Sequence, residues 1–279
     1  MPGREMQAAT VVLVHGAFHG AWCWDRVVPR LEDAGVAVVA LDLPGHGADP
    51  APPGDLHAHA DFLRAYLESL PGPVVVVGHS YGGAVISDGA ADVPSVAHLV
   101  YLAAIVADVG ETMTTIDVGG ASLGLGADIS EVPAAMHVDD DGFLVIDPAV
   151  GVGAFYADCT ADDVAFALAR LGRQNATTFA QPIRAAAWRT IPSTYIICTE
   201  DRAVTPAFQR ALATRTTDQV ELATSHSPFF SAPDALADVL LGIARHADEP
   251  SDAKAVLTLH QLHPTAEQRD AGFGFGGVA

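Results

Sequence analysis

Short runs of apolar, mostly β-branched residues recur along the chain: 10–15 (TVVLVH), 36–41 (VAVVAL), 73–78 (PVVVVG), 97–103 (AHLVYLA), 193–198 (STYIIC) and 218–223 (DQVELA). They are too short for helices, and most are too continuous for half-exposed strands, so they read as strands buried on both faces. Between most of them lie segments with helical spacing, at 22–34, 56–70, 81–91, 206–216 and 232–246. Alternating strand and helix requires parallel strands joined by right-handed crossovers, with helices on both faces of the sheet. The expected fold is α/β, with a mostly parallel sheet of about six strands.

The alternation stops once, after Ala103-Ala104, and resumes at the 193–198 run. Residues 9–107 and 191–247 are therefore expected to form the core, and 108–190 an inserted cap over the carboxyl edge of the sheet. Within the insertion, AMHVDDDGFLVID places an Asp-Gly turn between two extended runs, the pattern of a hairpin. Thr160, with acidic residues just after it, is positioned to cap a helix. Residues 248–279 lose the pattern and are expected to be a mobile tail.

The formal net charge of −20, with no Lys or Arg between Arg64 and Arg170, makes nucleic acid and anionic membrane surfaces unfavourable partners and mildly disfavours anionic small-molecule substrates. Cys23, Cys159 and Cys198 form no CxxC pair, which argues against a disulfide framework or structural zinc and favours the cytoplasm. The sequence holds neither the pattern of a signal peptide nor an apolar stretch long enough to span a membrane. No cofactor or metal is expected. GFGFGG near the end has no strand before it, and a calcium loop over DDDG would need ligands at His137 and Pro148. Nothing in the pattern speaks to oligomeric state.

Ligands of open α/β sheets collect at the carboxyl ends of the strands. There the third run leads into Gly78-His79-Ser80-Tyr81-Gly82, a Gly-x-Ser-x-Gly turn that would hold Ser80 exposed at a sharp strand-to-helix bend. Asp201 follows the fifth run and His226 the sixth. A serine hydroxyl needs an imidazole to take its proton, and the imidazole needs a carboxylate to fix its tautomer, so the three form a candidate nucleophile, base and orienting acid. Glu200 and Asp108 are rival acids, with Asp201 favoured by its place at the strand end. The backbone NH groups of Ala17 and Tyr81 are candidate oxyanion donors, positions where only the backbone matters. His15 and His79 are expected to support the strand ends, His19 to line a pocket, His57 and His59 to be solvated, and Trp22 and Trp24 to pack in the core of the first helix.

VLVHGAFHGAWCW, ALDLPGHG, GHSYGG, YIICTEDRAVTPAFQ and SHSPFF, in this order and spacing, resemble the α/β-hydrolase group of plant methylesterases, hydroxynitrile lyases and their bacterial esterase relatives. The likeness spans about residues 9–246 and includes the cap segment IDPAVGVGAFYADCTADDVAFALARL. It implies an α/β-hydrolase fold, Ser80, Asp201 and His226 as a triad, Ala17 and Tyr81 as oxyanion-hole donors, and no cofactor. The lyases of this group carry a threonine and a lysine where this chain has Gly16 and Ser227, which favours hydrolysis of an ester or lactone over cyanohydrin cleavage. The alternatives are a hydrolase-fold small-molecule receptor, and a lyase or oxygen-using enzyme of a biosynthetic pathway.

Overall fold

A computed structural model describes residues 9–116 and 132–247. Six strands, β1 (Thr10–Val14), β2 (Val38–Leu41), β3 (Val74–His79), β4 (Val96–Leu102), β7 (Ser193–Cys198) and β8 (Asp218–Leu222), form one sheet in the order β2-β1-β3-β4-β7-β8. Every neighbouring pair in it is parallel. Each strand lies within two residues of its expected bounds.

Side chains alternate across the strands and so divide the interior into two cores. Val11, Leu13, Val75, Val77, Val100 and Leu102 face one side, where Trp24, Leu31 of α1 (Val28–Asp33), and Leu236 and Leu240 of the helix Pro233–His246 pack against them. Val12, Val14, Val74, Val76, Leu99 and Tyr101 face the other. They are covered by Leu56, Leu63 and Leu67 of α2 (Leu56–Ser69), by Ala84 and Ile86 of α3 (Gly82–Gly89), and by Leu212 of the helix Pro206–Ala213. The first expected helix, 22–34, is split: Ala21–Trp24 winds as a 3-10 turn, and Pro29 stands in the first turn of α1, where its missing NH costs nothing.

Between β4 and β7 the chain leaves the sheet. β5 (Met136–Val138) and β6 (Leu144–Ile146) pair antiparallel around Gly142, whose φ of +87° suits glycine. Two helices follow, α4 (Pro148–Phe155) and α5 (Ala161–Leu168). Thr160 caps α5 as its sequence suggests, and Asp163 completes a reciprocal capping box. Phe155, Tyr156 and Ala167 of this excursion join the first core, while Ile183 and Ala187 join the second. The excursion is also tied down by polar contacts, since Arg184 reaches Asp88 on α3 through both side-chain and backbone nitrogens. The proposed tail, 248–279, lies outside the described residues.

The sheet order carries one consequence for function. From β1 the chain passes to β2 on one side, and β3 lies on the other, a reversal of strand order at whose carboxyl edge ligands of open α/β sheets collect. The Gly16–Gly20 loop and Ser80 stand at that edge.

Candidate active site

Ser80 follows β3 with a φ of +53°, the left-handed region that a residue with a side chain occupies only where its surroundings impose it. Here they do. Its NH donates to the Leu102 carbonyl at 3.1 Å, and its own carbonyl accepts from Ile105 and Gly83. The flanking glycines leave no room for anything larger: a Cβ on Gly78 would meet the Gly82 carbonyl at 2.6 Å, one on Gly82 the His15 carbonyl at 2.7 Å, and one on Gly83 the Ile105 carbonyl at 2.4 Å. Backbone-to-backbone approach at three points fixes the strand-to-helix bend.

Asp201 and His226 come together from the ends of β7 and β8. His226 Nδ1 lies 2.7 Å from Asp201 Oδ2, and both side chains are buried. The carboxylate is held from three further directions, by the NH groups of Ala203 and Val204 on Oδ1 and by Gln209 Nε2 on Oδ2. Because the carboxylate can only accept, Nδ1 carries the imidazole proton, which leaves Nε2 with a free lone pair. The rival acids are placed elsewhere: Asp108 pairs with Arg189, and Glu200 is exposed.

The histidine is tied to the serine turn through its backbone. His79 Nε2–H donates to the His226 carbonyl at 2.9 Å, and the two rings lie 4.6 Å apart. Burial, then the neighbouring His226, push His79 well below the ordinary histidine range, so it acts as a neutral donor. On the other side Asp158, from the excursion, accepts the Ser225 NH at 2.8 Å and its hydroxyl.

Ala17 and Tyr81 stand beside this turn, and among the described residues their NH groups donate to no protein acceptor. A Cβ on Gly16 would lie 2.9 Å from both Ser80 Cβ and His79 Nδ1, so the loop after β1 touches the serine and tolerates no side chain there. His15 Nδ1–H donates to the Gly16 carbonyl at 2.8 Å, while its Nε2 accepts from the Leu43 NH at 3.1 Å. The carbonyl and NH of a trans peptide point in opposite directions, so holding the Gly16 carbonyl aims the Ala17 NH. His15 thus supports the strand end, as its position implies, and burial keeps it neutral.

Two expectations need correction, at His59 and Trp22. His19 is 2% exposed, with both ring nitrogens hydrogen-bonded. His59 is not solvated: it is fully buried, its Nε2–H facing the Pro44 carbonyl and its Nδ1 accepting from the Tyr81 hydroxyl at 2.8 Å. The Tyr81 side chain therefore has a role of its own. Trp24 is core, as its apolarity implies, whereas Trp22 is half-buried and stacks on His19. Gln209 and Asp158 gave no motif signal; only a glutamine on the buried face of an amphipathic helix hinted at the first.

A fold of this topology with a strained serine turn beside a buried His–Asp pair defines the α/β-hydrolase class. Residues 11–239 match the model of the alpha/beta hydrolase family, and the chain belongs to that family. Within it, the chain groups with the methylesterase-like ester hydrolases. It is 31% identical over 257 residues to esterase PIR7B of Oryza sativa subsp. japonica, covering 84% of this chain and 94% of the relative. It is 28% identical over 257 residues to methylesterase 1 of Arabidopsis thaliana, covering 86% and 98%. Among solved structures, a pyrethroid hydrolase from Sphingobium faniae JZ-2 superposes with a TM-score of 0.72 at 28% identity, covering 88% of this chain and 100% of that one.

Proposed function

We propose that this ester hydrolase is a cofactor-free serine esterase or lactonase that works through an acyl-enzyme on Ser80. The observation that carries the reading is the buried His226–Asp201 pair at 2.7 Å, tied by the His79 ring, which donates to the His226 carbonyl, to the turn that holds Ser80 at φ +53°. With Nδ1–H committed to Asp201, His226 Nε2 takes the Ser80 proton as Oγ attacks the ester carbonyl carbon. The carbonyl oxygen becomes an oxyanion, met by the NH groups of Ala17 and Tyr81. His226 then gives its proton to the departing alkoxide, the alcohol leaves, and water repeats the sequence on the acyl-serine to release the acid.

Residues 108–190 act in this reading as a cap above the carboxyl edge. The substrate is a small, largely apolar ester or lactone, in keeping with the Gly-, Ala-, Val- and Leu-rich insertion and with a net charge that disfavours anions. Crowding at Gly16 supports hydrolysis over a lyase chemistry that would need a threonine hydroxyl at that position. Among the described residues no helix is long and apolar enough to cross a membrane, and Cys23, Cys159 and Cys198 are free thiols, in keeping with a cytoplasmic enzyme.

Replacing Ser80 with alanine tests the reading. Turnover of p-nitrophenyl acetate is expected to fall on the order of a million-fold, and brief incubation of the parent should leave an acyl group on the Ser80 peptide by mass spectrometry. Turnover by the Ser80→Ala protein at the parent's rate would rule the mechanism out, and tight ligand binding with no turnover by the parent would favour a receptor.

A further inference from the structure

His19 uses both ring nitrogens. Nδ1 is 2.8 Å from the Ala17 carbonyl, which can only accept, so Nδ1 carries the proton. Nε2 therefore accepts, and the Tyr156 hydroxyl donates to it at 2.7 Å. Burial lowers the His19 pKa to about 4, with a smaller lowering from His226, so this neutral tautomer holds throughout the neutral range. The Ala17–Phe18 peptide is gripped at its other polar atom too: the Phe18 NH donates to Gln174 Oε1 at 3.3 Å. One residue further on, the Phe18 carbonyl accepts from the Gly172 NH at 2.7 Å. Phe18 needs such restraint, because its φ of +65° is unfavourable for a residue with a side chain.

Tyr156, Gly172 and Gln174 all belong to the excursion between β4 and β7. We infer that this excursion sets the oxyanion hole from outside the sheet: Tyr156 through His19, and Gln174 directly, hold the Ala17–Phe18 peptide and so the direction of the Ala17 NH. The inference rests on the serine-esterase reading above, because it gives the Ala17 NH a purpose. His15 fixes the peptide before Ala17 and His19 the peptide after it. Neither histidine touches substrate in this scheme; His19, Tyr156 and Gln174 are positioning residues.

The probe is an alkyl fluorophosphonate, whose phosphoryl oxygen takes the oxyanion's place while Ser80 Oγ displaces fluoride, so that no natural substrate need be known. Tyr156→Phe removes one hydroxyl and keeps the ring. It is expected to slow labelling about tenfold and to lower kcat on p-nitrophenyl acetate by a similar factor, with KM within about twofold, since the hole binds the transition state rather than the ground state. His19→Leu should cost about a hundredfold, and His19→Asn, whose amide nitrogen can take the place of Nδ1, should recover most of that loss. A variant that is merely less stable would show a lower Tm with unchanged labelling rate and kcat. That outcome for Tyr156→Phe overturns the inference, as does equal loss in His19→Leu and His19→Asn. Should His19→Leu fail to fold, Tyr156→Phe decides alone. Ser80→Ala separates the two levels: if it is still labelled, the serine-esterase reading falls and takes the clamp with it, whereas if it is inert while Tyr156→Phe matches the parent, only the clamp falls.

Discussion

Asp201 Oδ2 accepts hydrogen bonds from His226 Nδ1 at 2.7 Å and from Gln209 Nε2 at 2.8 Å, so the acid that orients the histidine is itself oriented. Replacing Asp201 with asparagine would offer an amide in place of an oxygen and turn the imidazole to the wrong tautomer. The expected loss of kcat is about 10⁴-fold with the fold intact. Asp108→Asn and Glu200→Gln, the two rivals, should stay within about twofold of the parent. Steady-state kinetics on one ester decide the assignment, and a larger loss in either rival than in Asp201→Asn would reverse it.

Gln209 is fully buried: its Oε1 accepts from the Cys198 NH, and its NH2 donates to Asp201 at 2.8 Å and to the Val204 carbonyl at 2.6 Å, sharing a hydrogen with the Cys198 carbonyl at 3.3 Å. Gln209→Leu fills similar space but strips the Cys198 NH of its acceptor and takes one donor away from Asp201 and from the Val204 carbonyl. Each buried group so orphaned costs about 1–3 kcal/mol. Denaturant unfolding should therefore report a clear destabilisation, and kcat should fall about tenfold as Asp201 loosens. Stability equal to the parent's would mean that the network relaxes without it.

Gly16→Ala adds a single carbon, 2.9 Å from both Ser80 Cβ and His79 Nδ1. Neither neighbour can retreat freely, because Ser80 is fixed by its backbone and His79 by its bond to the His226 carbonyl. The loop must move instead, and the Ala17 NH with it. Fluorophosphonate labelling of Ser80 is expected to slow at least tenfold, against little change in labelling for Gly35→Ala, where a Cβ meets nothing and the strain of a φ of +79° falls on the turn after α1 and lowers Tm instead. Equal rates for the two variants would show that the loop accommodates the methyl group.

The sheet was readable because fully buried parallel strands must be continuous apolar runs, and the turns that interrupt them carry the chemistry at fixed ends. Ser80, Asp201 and His226 each stood directly after such a run, so the topology alone brings them to one edge. What could not be read was whatever depends on contact between distant segments. Nothing in the sequence around Tyr156 or Gln174 announces the loop at residues 16–18, more than a hundred residues earlier. His59 was misread for the same reason: helical spacing separates it from His57, but only the fold reveals that Tyr81 waits on its side. The excursion was recognisable as a break in rhythm, its hairpin and capped helix as local signals, and its grip on the core as neither.

Arg184 joins that excursion to α3 by contacting both Asp88, which is 2% exposed, and Asp61, which is 62% exposed. The two carboxylates should answer very differently to loss of the contact. Arg184→Met strands Asp88 in the interior and is expected to cost about 3 kcal/mol or more in unfolding free energy. Asp61→Asn removes a solvated partner and should cost under about 1 kcal/mol. Equal, small effects would mean that Asp88 finds water when the arginine is gone.

His46 offers the sharpest test of the buried imidazoles. It is 2% exposed, and neither ring nitrogen has a hydrogen-bond partner among the described residues. Burial lowers its pKa to about 4, and the same holds for His59 and His19. Each takes up its proton in the unfolded chain near 6.5 but in the folded protein only near 4, so stability is full above pH 6.5 and is lost as the pH falls from there towards 4. One such histidine contributes a slope approaching 1.4 kcal/mol per pH unit and a total loss of up to about 3 kcal/mol. The acid-induced change in the charge of the many carboxylates acts on the same curve, but it is common to the parent and to His46→Phe. The difference between their denaturant midpoints isolates the histidine. It should already favour His46→Phe at pH 8, where an apolar ring replaces two unsatisfied nitrogens, and should grow further between pH 6.5 and 4. Midpoints that run parallel over that range would mean that the His46 ring is protonated as readily in the folded protein as in the unfolded chain.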